Sequence, residues 1–220
     1  MRVVGVDEAG RGPVIGSMFV AGVVYTTALE QLGIKDSKKL SAKRREALAR
    51  EIETLTEVYV LEVSPAEIDK LRERMTMNDI AVLYFSAVLD HLNPDVAFVD
   101  AADVNPQRFA KRLQERLRPQ RPKIIAEHGA DEKYVVVGAA SIVAKVRRDA
   151  SIRELEKKIG ERIGSGYPSD PITKEFLKKV VLKDFLEQGE LPSYVRASWK
   201  TAKELLKNKV QRPQYRASYI

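Results

Sequence analysis

The chain has no cysteine. That excludes disulfides and thiolate metal sites. No apolar run reaches the roughly 18 residues that a membrane-spanning helix needs, and the N-terminus lacks a signal-peptide pattern. The expectation is a soluble, cytoplasmic protein with no membrane partner. There is no internal repeat and no low-complexity tract, so solenoid and disordered classes are set aside. What remains is 220 residues, 44% hydrophobic and 31% charged. This is enough apolar material for a real core in one large domain, or one domain with a small appendage. Lys and Arg number 38 against 31 Asp and Glu, a formal net charge of +7. A mild basic excess suits a polyanionic partner and is weak evidence when taken alone.

The first notable stretch is Val3-Val4-Gly5-Val6-Asp7-Glu8-Ala9-Gly10-Arg11-Gly12-Pro13. An apolar run ends in two adjacent acids, and a glycine-arginine-glycine turn follows. Residues 1–8 read as a strand and Ile15–Tyr25 as a second, forming a hairpin. The segment 31–40 reads as a lysine-rich loop. Ser41 caps a helix to about Leu55, Val58–Val63 is a third strand, and Ser64-Pro65-Ala66-Glu67 opens a helix to about Arg74. A further helix covers about 78–92, with apolar residues at helical spacing. The pattern then alternates: strand Val96–Asp100, helix from Asn105-Pro106 to about Leu117, strand 123–126, and a long helix over 135–159. Such alternation implies parallel pairing through right-handed crossovers. The fold class expected is α/β, a five-stranded mixed sheet flanked by helices. From about residue 160 the character changes. A loop at Gly164-Ser165-Gly166-Tyr167 precedes a helix from Asp170-Pro171 to about Gln188, and another lies near 199–209. Domains are therefore expected at 1–160 and at 161–220, the second helical.

Three segments place acids at or just beyond apolar runs: Asp7-Glu8, Asp100 and Asp131. Parallel strands bring their C-terminal ends to one edge of a sheet, where α/β folds bind ligands. Carboxylate oxygens in such a cluster suit Mg²⁺ or Mn²⁺ rather than zinc. Taken singly, each acid is better explained as an ordinary loop-edge carboxylate. Their convergence brings a metal site level with that explanation. Adjacent strand residues face opposite sides, so Asp7 and Glu8 share a site only if the strand ends, twists or bulges there. His128 reads as structural and Asp103 as a turn residue. Gly10-Arg11-Gly12 allows close approach of backbone to a ligand, with Arg11 able to grip a phosphate. As a bare glycine-x-glycine it reads better as a plain hairpin turn with a solvated arginine. It is not a dinucleotide fingerprint, because the third glycine is missing and the next element is a strand. Ser37, Lys38 and Lys39 offer hydroxyl and ammonium donors. Tyr167 offers an aromatic face in a flexible loop, suited to stacking or to packing at a domain junction. Trp199 reads as core or as packed between lobes.

Taken in order, these motifs resemble type 2 ribonuclease H (ribonuclease HII), and its archaeal branch in particular. The resemblance spans nearly the whole chain and includes Asp36-Ser37-Lys38-Lys39-Leu40, Asp100-Ala101, Ala130-Asp131, the 139–145 segment AASIVAK and the 164–171 segment GSGYPSDP. It implies the ribonuclease H fold with a C-terminal helical region. It also implies a metal-dependent endoribonuclease cutting the RNA strand of RNA–DNA hybrids, and cutting 5′ to ribonucleotides embedded in duplex DNA. Two divalent ions (Mg²⁺ or Mn²⁺) would be held by Asp7, Glu8, Asp100 and Asp131, and products would carry a 3′-hydroxyl and a 5′-phosphate. Gly10, Arg11 and Gly12 would read the 2′-hydroxyl, Tyr167 would stack on the following deoxyribose, and Ser37, Lys38 and Lys39 would bind substrate. Gly129 stands where the family usually has lysine, and Val135 where it often has proline. The archaeal branch often ends in a sliding-clamp-binding peptide. Here 214–220 is a degenerate version, with Ala217 in place of a large anchor, and clamp binding is the weaker expectation. A monomer is expected. The rivals are a junction nuclease of the same fold and a non-catalytic hybrid-binding protein.

Overall fold

The computed structural model describes residues 1–34, 41–117 and 122–210. Ser37, Lys38, Lys39 and the 214–220 tail lie outside the described residues. The chain divides into two compact units. The first comprises Met1–Arg11, Met18–Glu62 and Met75–Asp149, and the second Gly12–Ser17, Val63–Arg74 and Ala150–Ile220.

The first unit holds the sheet. Strands β1 (Val3–Ala9), β2 (Met18–Val24), β3 (Val58–Val63), β4 (Val96–Asp100) and β5 (Lys123–Glu127) stand in the order β3-β2-β1-β4-β5. β1 pairs antiparallel with β2 as the opening hairpin. It pairs parallel with β4, and β4 parallel with β5. The sheet is mixed and five-stranded, as expected. Two glycines let helices approach it. A Cβ on Gly5 would lie 2.4 Å from the Val136 backbone at the start of α6 (Val135–Ile159). A Cβ on Gly22 would meet Val88 at 2.4 Å on α3 (Met77–Leu92). Real Cβ atoms do not come so near, so both positions depend on glycine. One core layer joins Ala21 and Val23 of β2 to Leu48 and Ile52 of α1 (Ala42–Leu55) and to Val137, Ala140 and Val143 of α6. α3 packs on β1, β2 and α4 (Pro106–Arg116), where Phe85 meets Phe109 edge-on at 5.3 Å.

The helix starts follow local chemistry. Ser41 accepts a hydrogen bond from the Arg44 amide and Asn105 from the Arg108 amide. Thr76 and Asp79 form a reciprocal capping box on α3. Each side-chain oxygen satisfies an amide that the helix itself leaves unpaired.

Several expectations need correction. β2 starts at Met18, not Ile15, because Gly16 takes φ +88 and turns the chain. Ile15 instead bridges to Val195 within the second unit. Thr27–Leu32 is a turn of 3-10 helix that overlaps the start of the expected 31–40 loop, and it ends at Gly33 with φ +68. Asp131 lies not in a loop but in a four-residue helix, α5 (Ala130–Lys133).

The second unit is built from α2 (Pro65–Arg72), the end of α6, α7 (Pro171–Phe176), α8 (Leu182–Gln188) and α9 (Lys200–Val210). The expected helix over 171–188 is interrupted by a π-turn at Leu177–Val181 and ends at Gly189. Val14, Ile15, Ile152, Ile163, Phe176 and Val181 form the centre of this unit's core.

Candidate active site

Asp7 and Glu8 lie near the end of β1. Pairing with β2 is regular through Asp7↔Ala21, Glu8↔Val20 and Ala9↔Phe19. There is no bulge at the acids. The strand ends one residue later, where Gly10 takes φ +85. On the other side, the β1–β4 ladder runs to Val6↔Val99. Asp7, Glu8 and Asp100 are therefore gathered at its open end.

Their electrostatics follow from that placement. Asp7 is 6% exposed. Burial raises its carboxyl well above the usual range, and Glu8 and then Asp100 push it further. The Ser141 hydroxyl of α6 and the Glu8 amide, 2.7 Å from Oδ1, oppose the rise. Burial lifts Glu8 to about 7, against the pull of Arg11 and with a further push from Asp100. Arg11 stands 3.8 Å from the Glu8 carboxylate. Asp100 is also raised by burial, and the nearby Asp131 adds to the rise. The Ala130 amide donates to Asp100 Oδ1 at 2.8 Å. Gly129 makes that contact geometrically accessible. It takes φ +65 as the residue before α5 and turns the chain so that the first amide of the helix faces Asp100. The structure thus links Asp7, Glu8, Asp100 and Asp131 through charge. His128 contributes a smaller downward pull on Asp100, and its Nε2 lies 3.4 Å from the Val104 carbonyl. Asp103 belongs to a turn, as expected, and is held by Arg108 and the Asn105 amide.

The glycine-arginine-glycine turn crosses between the units, with Arg11 in the first and Gly12 in the second. Arg11 donates to the Ala102 carbonyl and to Asn78. Gly12 packs on Tyr167, and a Cβ there would stand 3.2 Å from the ring. Trp199 donates from Nε1 to the Gly12 carbonyl at 3.0 Å, and Arg196 stacks over the Trp199 ring. Tyr167 itself is 39% exposed. Its loop is held more firmly than a flexible-loop reading predicts. Glu156 accepts from the Ile163 and Gly164 amides, Asp170 from Ser165, and Thr173 from Gly166. The Gly166 carbonyl in turn accepts from Val14 at 2.9 Å.

A sequence model of the ribonuclease HII family matches residues 4–202. The chain belongs to that family. A ribonuclease HII from Methanothrix thermoacetophila is 53% identical over 210 residues, covering 93% of this chain and 97% of the relative. The crystal structure of ribonuclease H2 from Pyrococcus horikoshii superposes with a TM-score of 0.87 at 41% identity, covering 96% of this chain and all of that one. The PCNA–RNase HII complex from Archaeoglobus fulgidus contains a chain that matches with a TM-score of 0.81 at 44% identity, covering 91% of this chain and 96% of that one. Ribonuclease HII enzymes are metal-dependent hydrolases that cleave RNA in RNA–DNA hybrids, and this chain is such an enzyme.

The donor set suits the family's divalent ions. It is all carboxylate oxygen, and burial first, then neighbouring like charge, raises the pKa values of Asp7 and Glu8. A hard dication relieves that strain and takes such ligands. Among the described residues no three acidic or histidine side chains close around a single point. The acids form an open cluster.

Two groups escaped the sequence reading. Ser141 lies in the AASIVAK segment, and its hydroxyl was the only polar side-chain group before the lysine. Asn78 opens α3, far from the turn in sequence, and no local pattern points from it to Arg11. No helix among the described residues is long and apolar enough to cross a membrane.

Proposed function

We propose that the enzyme cuts on the 5′ side of ribonucleotides, both in RNA–DNA hybrids and where a single ribonucleotide is embedded in duplex DNA, leaving a 3′-hydroxyl and a 5′-phosphate. The observation that carries this reading is the mutual charge coupling of Asp7, Glu8 and Asp100 at the end of the β1–β4 ladder. Asp7, Glu8, Asp100 and Asp131 would hold two ions, Mg²⁺ or Mn²⁺. Bound there, the ions would activate water and stabilise charge on the departing 3′-oxygen.

The chain's own groups do the rest. Ser141 and the Glu8 amide orient the Asp7 carboxylate, and the Ala130 amide orients Asp100. Gly10, Arg11 and Gly12 select the 2′-hydroxyl, the handle that separates RNA from DNA. Tyr167, exposed on one side and backed by Gly12, stacks on the deoxyribose that follows. Ser37, Lys38 and Lys39, together with the C-terminal region 161–220, hold phosphates without reading sequence. A junction nuclease would leave the glycine-arginine-glycine turn and Tyr167 without a role.

The Archaeoglobus fulgidus relative was solved with PCNA. A sliding clamp is accordingly the protein partner to test, with the 214–220 tail as its contact. We place the enzyme in the cytoplasm as a monomer. The test of the site is Asp100→Asn. It should abolish metal-dependent cutting of a hybrid while hybrid binding persists, and a fully active variant would refute the ligand role.

A further inference from the structure

Arg11 does not stand alone. Its guanidinium donates to the Asn78 side-chain oxygen and the Ala102 carbonyl, and it lies 3.8 Å from Glu8. Asn78 is the second residue of α3, just past the Thr76 cap. A guanidinium only donates, so it needs the oxygen end of the Asn78 amide. The amide's nitrogen end must then find an acceptor.

Asp103 stands beside it: it adjoins Ala102, the other acceptor of Arg11, and its carboxyl is held low by Arg108, then by the Asn105 amide, with help from the Asn78 side chain. Its carboxylate is 3% exposed and can only accept. It takes hydrogen bonds from Arg108 Nε at 3.0 Å, from a second Arg108 nitrogen, and from the Asn105 amide at 3.0 Å. From Arg108 through Asp103 and Asn78 to Arg11, only an Asn78 amide with its oxygen toward Arg11 offers each acceptor a donor. A helix-capping turn accounts for Asp103 with Arg108 and Asn105. It does not account for Asn78 reaching both Asp103 and Arg11.

The geometry points to Asn78 and Asp103 as positioning residues that lock the Asn78 amide with its oxygen toward Arg11, and so fix the guanidinium that selects the 2′-hydroxyl. Neither needs to touch the substrate. This inference rests on the role proposed above for Arg11. Asp103→Asn supplies an amide in place of an obligate acceptor. The Asn78 amide is then free to turn and present its nitrogen to Arg11.

The test is a double-mutant cycle on RNA–DNA hybrid cleavage, with thermal melting to establish that each protein is folded. Asp103→Asn should lower kcat/KM about tenfold in the parent enzyme and less than about twofold in an Arg11→Ala background. Equal losses in both backgrounds would overturn the relay and leave the Arg11 reading standing. No loss in the folded parent variant would do the same. Full activity of Arg11→Ala would overturn the Arg11 reading and the relay with it. If Asp103→Asn melts below the assay temperature, Asn78→Leu runs the same cycle with the same criteria.

Discussion

Asp100 lies close enough to Asp7, across the open end of the β1–β4 ladder, for its charge to push the Asp7 carboxyl upward. Glu8, the next residue, feels both the same neighbour and its own burial. Glu8 and Asp100 thus disfavour ionisation of Asp7, and Asp100 disfavours that of Glu8. This arrangement opposes stability in the metal-free protein and favours a cation.

The consequence is a pH-dependent gain on removing one charge. Glu8 has a folded-state value of about 7, above its ordinary 4.5. The native state therefore keeps a proton that the unfolded state releases, and stability falls as pH rises from 4.5 through about 7. In chelator-treated protein, Glu8→Gln should raise Tm by about 3–6 °C at pH 8. The difference should shrink toward pH 4.5, where the parent carboxyl is protonated as well. Added Mn²⁺ should stabilise the parent more than the variant. Melting curves across pH with and without Mn²⁺ check this, and a variant less stable than the parent at pH 8 would contradict it.

Gly12 and Tyr167 should be energetically coupled. A Cβ at Gly12 would stand 3.2 Å from the Tyr167 ring, so the ring must shift by a few tenths of an ångström. Gly12→Ala should lower kcat/KM on an embedded ribonucleotide by about tenfold while moving Tm by less than about 3 °C. In a Tyr167→Ala background the same change should cost much less. Steady-state kinetics on the four proteins decide the matter.

Much of this arrangement was legible in the sequence. Strands carrying Asp7-Glu8 and Asp100 near their ends follow from apolar runs that stop at acids, and strand–helix alternation implies the parallel pairing of β4 with β5, whereas β1 becomes the neighbour of β4 only in the fold. The capped starts of α1, α2 and α4 were written in Ser41, Ser64 and Asn105, while the Thr76 cap of α3 emerges from the structure. What escaped depends on contacts between distant residues. Ile15 has strand character, yet Gly16 turns the chain and Val195 becomes its partner. The helix after β3 is legible from its capping-box spacing, but nothing local shows that its Asp69 accepts from the distant Ala197 and Ser198 amides. Asn78 acquires its meaning only when Arg11 folds back onto it. Periodicity and capping rules carry no information about such pairings.

Gly129 provides a local test. It takes φ +65, a conformation that costs other residues about 1 kcal/mol. Gly129→Ala should lower stability by about that amount and disturb the Ala130 amide that donates to Asp100. The Mn²⁺ concentration giving half-maximal activity should rise, although the space around Gly129 is open and no side chain would clash. An unchanged metal titration would show that the turn does not control Asp100.

The N-terminus of α3 makes an acid-range prediction. Asp79 is held at about 2 by its hydrogen bonds with Thr76, with Arg112 adding to the effect. An acid depressed in the folded state stabilises above its unfolded value near 3.8 and loses that contribution as pH falls through about 2. Asp79→Asn should cost about 1 kcal/mol at pH 7. The gap between variant and parent should close as pH falls toward about 2. Urea unfolding at pH 7 and in acid checks both ends.

The central claim is that recognition of a 2′-hydroxyl and metal-dependent cutting beside it occur in one site. Its most direct test is a DNA duplex with one embedded ribonucleotide, incubated with the enzyme in Mg²⁺, in Mn²⁺ and in chelator. The account predicts a single cut on the 5′ side of that ribonucleotide, leaving 3′-hydroxyl and 5′-phosphate ends, with a divalent ion only. No cut beside the ribonucleotide in either metal, or equal cutting of an all-DNA duplex, would contradict it.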